Sequence, residues 1–591
     1  MALYGNRIGR AGRRIPCASW LLVPALAAIL ACAGCGNPPA DPTAADPWRS
    51  PGGTAPISVV QGEDYSLPPW VRPEAYAGYV GNRDLPRPVG GLNVVNWWLS
   101  WADLEPEPGV YAWDVVEQKL AAAAAGGYQL NMHLESITWG GGSEPLGIVV
   151  PQSAPPWILD EFSLTEADLI NLGWEFDILV IPGWRPDIAA AFNDLVRAFG
   201  ARGYADSPQL AAAYIHAVSP SRGEEFWMTQ AALDRLERSH GFTPQVLDDW
   251  ITSRFAAYAD AFAGQTHKLV WVGKQGAWRY LSSGRYADLA LRLVHDAWDL
   301  GAGNRSSAIE YFNEWLNEPA LGQSVDDQGY LHTDESLPPF NSVRYFGDEN
   351  EEYGDAWTWR YGSRAGEPVR YRLSMLRALQ MRMRFLWTGE AAEAINPPLS
   401  TYAALSFGKT VTTSPDAWAY LRETPSTTYE TPAAVIRNFE RWLVQRDVPG
   451  GMTVPAQRTF REFNAGGNHL GQPDTWYDDL ARRTDTANGS PHIGFDLDNR
   501  FRVQGAVQIK VEILDDSTAY WHLEYMGTDH APAATREFHN TGDGKVKTVT
   551  FTVTDAAFLD GLEHGMDFRI TCDGPGDVTV RWVRLVRLQA P

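Results

Sequence analysis

A chain of 591 residues, 45% hydrophobic and 12% aromatic, can fill more than one large core, so the sequence reads as a globular protein of several domains. Its formal net charge of -23 excludes nucleic acid and anionic membrane surfaces as partners, because either would repel it. Of its cysteines, Cys17, Cys32 and Cys35 crowd the N-terminus and only Cys572 lies elsewhere, which leaves no internal disulfide framework. No Cys-rich or HExxH spacing marks a zinc site, and neither metal nor cofactor is expected.

Arg7, Arg10, Arg13 and Arg14 precede an apolar segment from Trp20 to Ala31 that is short for a membrane span, and small residues follow up to Cys35. That is the layout of an export signal over residues 1–35. Ala33-Gly34-Cys35 resembles the end of a bacterial lipobox, which implies Cys35 as the lipidated first residue of the mature protein; Cys32 is a second candidate and plain secretion the alternative. Residues 36–56, rich in Pro, Ala and Asp, read as a flexible tether. The expected location is the cell envelope, with membrane contact only through the anchor.

Ile57 to Tyr65 offers a faint first strand. Gly91 to Trp98, GLNVVNWW, is strand-like, Asp114 to Ala125 is helical and stopped by Gly126-Gly127, and Tyr128 to Leu134 is again strand-like. A helix from Pro186 to Phe199 leads to Leu210–Val218, an apolar run suited to a buried parallel strand that stops at Ser219-Pro220. Glu224 and Glu225 follow it. Further on come a helix at Gln245–Phe262, a strand at Lys268–Gly273, a helix at Tyr286–Leu300 and a sixth strand at Ala308–Trp315. Gly322 to Arg364 reads as a long polar insertion walling a site. Pro368–Trp387 and Leu399–Phe407 read as helices, Thr410–Glu423 as the seventh or eighth strand, and Thr431–Gln445 as a closing helix. The alternation predicts an α/β fold, a (β/α)8 TIM barrel over residues 57–447. After a linker at 448–475, residues 476–591 show short alternating runs such as AVQIKVEIL and VKTVTFTVTD between turn residues, the pattern of a C-terminal antiparallel β-sandwich of jelly-roll type.

Trp101-Ala102-Asp103-Leu104-Glu105-Pro106-Glu107-Pro108-Gly109-Val110-Tyr111, with Trp113 after it, resembles the segment that follows the second barrel strand in clan A glycoside hydrolases, notably family 42 β-galactosidases. Ala154-Pro155-Pro156-Trp157-Ile158-Leu159 resembles their segment after the third strand. The resemblance implies a retaining glycosidase with its acid/base glutamate at the end of the fourth strand. Aligned on Gly223-Glu224 it makes Glu224 the acid/base, with Arg222 standing in for the clan's missing Asn as donor to the sugar 2-hydroxyl. Phe312-Asn313-Glu314-Trp315 resembles the end of the clan's nucleophile strands and makes Glu314 the nucleophile. Asn317-Glu318-Pro319 also matches the acid/base signature, so a Glu318 and Glu423 pair stays open, as does Asp416. The implied substrate is a β-linked polysaccharide or oligosaccharide, galactan-type through the family 42 likeness.

Glycosidic cleavage needs one carboxylic acid to protonate the leaving oxygen and a second carboxylate on the other face of the sugar, about 5 Å away for retention and roughly 6.5–9.5 Å for inversion. Glu225 or burial against Trp227 would raise the acid's pKa. Trp98, Arg222, Glu225, Asn313, Glu318, Asp416 and Trp418 are the expected sugar-binding groups around Glu224 and Glu314. His133 and His216, inside apolar strands, read as satisfied core histidines. The rival reading is a glycan-binding surface lipoprotein on a barrel without catalysis, suggested by the missing Asn before Glu224.

Overall fold

The computed structural model describes residues 56–81, 94–140, 152–172, 178–217, 228–272, 284–306, 322–341, 343–350, 367–388, 392–423, 437–458 and 480–591. The chain divides into Met1–Pro47, which lies outside these residues, and Trp48–Pro591.

Eight parallel strands close into a barrel: Gly78–Gly81, Val94–Ser100, Gln129–Glu135, Leu210–Tyr214, Leu269–Val272, Gly303–Ser306, Gly347–Asn350 and Phe385–Thr388. The eighth pairs with the first, Phe385 opposite Gly78 and Trp387 opposite Val80, which removes both sheet edges. LAAAY and LVWV are buried along their whole length, because helices cover the outside while side chains fill the inside. The helices Trp113–Gly126, Pro186–Ala201, Pro244–Ala261 and Ala287–Leu300 stand where the sequence pattern places them, two of them opening on proline. The sixth and seventh strands begin on glycine for want of room. A Cβ on Gly303 would strike the Tyr345 backbone, and one on Gly347 the Phe385 carbonyl.

The second half of the barrel departs from the expectation. Its sixth strand is Gly303–Ser306, upstream of the apolar run at Ala308–Trp315, which lies outside the described residues. Its seventh, Gly347–Asn350, lies within the stretch that reads as a polar insertion. Its eighth, Phe385–Thr388, is the tail of what reads as one helix: the helix spans Glu367–Gln380, and Arg382 then takes a left-handed φ of 62°.

Asp416–Glu423 is a strand but not a barrel strand. It pairs antiparallel with Thr579–Arg587 and Arg437–Arg441, in the sandwich. Ala417, Ala419 and Leu421 enter the sandwich core, while Trp418 and Tyr420 join the cluster formed with the barrel's last helices. A strand apolar on both faces carries the same sequence signal in either place. The segment expected as a closing helix also belongs to the sandwich, as the strands Arg437–Arg441 and Leu443–Gln445 joined at Trp442, φ 58°. The sandwich therefore takes in residues well before 447. Ser58–Gln61, the expected first barrel strand, is its edge, with Ser58 opposite Thr550.

An eight-stranded sheet that includes Val507–Leu514 and Val546–Val553 packs on a six-stranded sheet that includes Tyr520–Met526 and Phe568–Cys572. Ile509, Val511, Trp521, Leu523, Phe551 and Ile570 fill the space between them. A separate apolar cluster joins sandwich to barrel, bringing Tyr371, Leu376 and Tyr402 from the helices against Trp418, Phe439 and Trp582. Buried ion pairs cross the same junction. Arg372 reaches Glu512 at 2.8 Å and Glu63 at 2.6 Å.

Candidate active site

The inner wall of the barrel is set by strand alternation. In VVNWWLS every second residue from Asn96 faces the register partners Asn131, His133 and Glu135, as Asn96–Asn131, Trp98–His133 and Ser100–Glu135. The fourth strand continues the row, with His133 opposite Tyr214. His133 is consequently stacked between Trp98, centroids 4.1 Å apart, and Tyr214, 4.2 Å apart.

Polar atoms below this row tie His133 into the wall. Asn131 Nδ2 donates to Asn96 Oδ1 at 2.8 Å, and His133 Nε2 lies 3.1 Å from that oxygen and 3.3 Å from Asn131 Nδ2. His133 Nδ1 shares a hydrogen bond with His216 Nε2, 3.1 Å away. Burial, aided by His216 and Arg305, holds the His133 pKa well below the usual histidine range, so the ring is neutral. The two histidines satisfy each other within the core, as their apolar setting implies. His216 is held in turn through its carbonyl by Arg254, whose Nε donates to Asn193 Oδ1 at 2.7 Å.

Trp387 of the eighth strand completes this wall, 5.9 Å from both Trp98 and His133, with the Arg305 guanidinium 5.6 Å from its ring. Glu135, the last residue of the third strand, is 8% exposed at the C-terminal end of the barrel, where barrel chemistry is placed. Glu135, Arg305 and Trp387 are not among the groups expected from sequence. Asn131, His133 and Glu135 form a polar alternation inside YQLNMHLE, a signal for inward-facing groups that could have found the first of them. Arg305 stands in a polar strand with no apolar signature, and Trp387 in a run that reads as helix.

The two segments that carry the family resemblance touch one another. Glu105, buried, accepts from Trp101 Nε1 and from the Gly109 backbone N–H, both at 2.7 Å, while Trp157 Nε1 donates to the Glu105 carbonyl at 2.8 Å. Trp101 and Trp157 meet edge to face at 5.7 Å. The Leu-Glu-Pro phrase thus ties the loop after the second strand to the segment after the third.

Of the site residues expected from sequence, Trp98 lies on the inner wall, half-buried and stacked on His133. Asp416 and Trp418 do not reach the mouth. Asp416 is fully buried in the sandwich, paired with Arg584 at 2.8 Å and accepting from Tyr402 at 3.0 Å, and Trp418 is fully buried against Trp582. Glu423 is likewise spent in the sandwich, on Arg482 and Arg437. Arg222, Glu224, Glu225, Asn313, Glu314, Glu318 and Cys35 lie outside the described residues. Among the described residues, the groupings of His and carboxylates close enough to hold an ion are His522, Glu537 and Asp573, and Asp496, Asp560 and Asp567, both in the sandwich.

Fold and inner wall together define a (β/α)8-barrel protein with an appended β-sandwich. No known family profile matches the chain, and no curated protein matches it. Among solved structures it is similar to the catalytic domain of β-amylase from Paenibacillus polymyxa, at TM-score 0.32 and 10% identity over 56% of this chain and 95% of that one. It is similar also to endo-glycoceramidase II from Rhodococcus sp., at TM-score 0.30 and 12% identity over 83% and 100%. A third is an endo-β-1,4-xylanase from Gloeophyllum trabeum, at TM-score 0.30 and 11% identity over 56% and 96%.

Proposed function

We propose that this protein is a clan A-like glycoside hydrolase that cleaves a β-linked polysaccharide or oligosaccharide, galactan-type favoured, by a two-carboxylate retaining mechanism. The observation that carries this reading is the strand count. Leu210–Tyr214 is fourth of eight, and the chain that leaves its C-terminal end carries Glu224 and Glu225. Trp98, half-buried on the inner wall and backed by His133, supports the reading as a flat face of the kind sugars lie on.

In this reading Glu224 protonates the departing oxygen and a second carboxylate attacks the anomeric carbon, after which Glu224 draws a proton from the incoming water. Glu314 is the nucleophile of the sequence reading. Glu224→Gln should lower kcat by about 10²–10⁴, the worth of a positioned general acid, with an unchanged urea midpoint; full turnover would remove Glu224 from the role. Azide restoring turnover to Glu314→Ala would identify Glu314 as the nucleophile, and proton NMR of the first-formed anomer distinguishes retention from inversion. The proposal includes export and lipidation at Cys35, tested by loss of membrane-fraction protein in Cys35→Ala.

The second reading, glycan capture without catalysis, is favoured by Gly223 where the clan carries Asn. Oligosaccharide binding without release of reducing ends would establish it.

A further inference from the structure

A cleft of about 360 Å³ lies between barrel and sandwich, within the ~300–1,000 Å³ of small-molecule sites. Its barrel side is built by Glu335 and by Gln380 and Arg382, the latter two from the turn that enters the eighth strand. It is thus on the side where that strand begins, away from the C-terminal mouth.

Two strained residues from different domains hold its wall. Arg382 and Trp442 both have left-handed φ, 62° and 58°, a strained conformation for a non-glycine residue, and such outliers gather at ligand sites. Glycine would suit the helix end at 382 better, yet arginine stands there. Its guanidinium lies 4.6 Å from the Trp442 ring, and Arg382 Nε and Trp442 Nε1 both donate to Glu335 Oε1, at 2.6 and 3.0 Å.

The charges of the cleft are nearly spent. Arg382, Arg446 and Arg500 face Glu335, Glu440, Asp496 and Asp498, a balance of 3 − 4 = −1. Arg446 pairs with Glu440 at 2.7 Å, and Arg500 with Asp498 at 2.5 Å and Glu335 at 2.7 Å. An anion entering here meets carboxylates, and a cation meets guanidiniums. What remains is hydrogen-bonding capacity of both kinds. Among the described residues, Arg446 Nη2 and Arg500 Nη1 make no bond within the protein, since Arg446 bonds through Nη1 and Arg500 through Nε and Nη2. The Asp496 carboxylate has no donor among them either, and burial with the neighbouring Asp560 and Asp498 raises its pKa. Leu331 and Val444 add apolar surface. Hydroxyl groups use donors and acceptors together without carrying charge, and a pyranose sets several of them around an apolar ring.

We propose that this cleft is a second saccharide site, taking a neutral hexose or the end of a short neutral oligosaccharide, independent of the barrel mouth. The test is calorimetric titration and saturation-transfer NMR of the full chain with galactose, glucose, mannose and their β-linked disaccharides, with glucosamine and glucuronate as charged counterparts. Val444→Trp fills the cleft and should weaken neutral-sugar binding at least ten-fold. Asp496→Asn relieves the repulsion from Asp560 and Asp567, whose oxygens lie within 4.8 Å, while giving up the attraction of Arg446, and should weaken binding about five-fold. Trp98→Ala, at the mouth, should leave this binding in place. Absence of neutral-sugar binding, binding unchanged in both cleft variants, or preference for glucosamine or glucuronate would overturn the assignment. Should Val444→Trp fail to fold by circular dichroism, Asp496→Asn decides alone.

Discussion

The Glu105 carboxylate offers the sharpest test of what the Leu-Glu-Pro phrase does. Glu105→Ala removes the acceptor of two N–H groups. The Trp101 indole is fully buried, so its stranded donor costs about 1–3 kcal/mol. The Gly109 N–H is at an exposed residue and recovers part of its bond from water, so about 1 kcal/mol is enough for it. The sum is about 2–4 kcal/mol. Glu105→Gln keeps one side-chain oxygen for Trp101 and loses the charge-assisted partner of Gly109, so about 1 kcal/mol is expected. Urea unfolding followed by tryptophan fluorescence measures both, and limited proteolysis maps the opening to residues 101–112. Hydrolysis per folded molecule should fall in Glu105→Ala and survive in Glu105→Gln. Equal midpoints for wild type and Glu105→Ala would refute the reasoning, because they would mean that the indole donor finds water or that the loop is not held through this carboxylate.

Asp416→Ala should cost about 3–5 kcal/mol, because it leaves the Arg584 guanidinium buried without its partner, while turnover per folded molecule is unchanged; a selective loss of turnover would return Asp416 to the site. A fragment of residues 476–591 should remain unfolded by circular dichroism, since it lacks Asp416–Glu423, the strand paired between Thr579–Arg587 and Arg437–Arg441; a cooperative thermal transition in that fragment would contradict the sheet order. His522, hydrogen-bonded to Glu524 and beside Asp573, has its pKa raised to about 9 against burial. A histidine pKa raised on folding stabilises fully below about pH 6.5, and that contribution is lost as pH rises through 9, at no more than about 1.4 kcal/mol per unit. The urea midpoint of wild type should therefore approach that of His522→Gln between pH 6.5 and 9, and a constant gap would count against the ion pair.

Barrel strands two to five and their helices divide sharply from the first strand, Gly78–Gly81, and from the last three in how much their residues announce. GLNVVNWW, YQLNMHL and LAAAYIHAV are apolar because they are covered on both faces, and helices that open on Pro186 and Pro244 carry their own start signals. GNRS and GDEN carry no such signal. In the sixth strand the burial of Asn304 rests on a bond from Trp298 Nε1, which no periodicity reveals. The eighth strand was hidden because EPVRYRLSMLRALQ runs into MRMRFLWT without glycine or proline, and the break rests on Arg382 accepting a glycine's conformation. The opposite error placed DAWAYLRE in the barrel, where partners hundreds of residues away decide its sheet. On the inner wall, the position of Trp98 followed from the strand GLNVVNWW, whereas Arg305 and Trp387 depended on strands that the pattern did not show.

The sandwich is sewn from both ends of the polypeptide. Ser58 pairs with Thr550, 492 positions on (550 minus 58), and the whole barrel is threaded between them. Contacts so distant along the chain are slow to form. The edge formed by Ser58–Gln61 gains its partner only once Lys547–Thr550 has been made, so it stays unpaired in any shorter nascent chain.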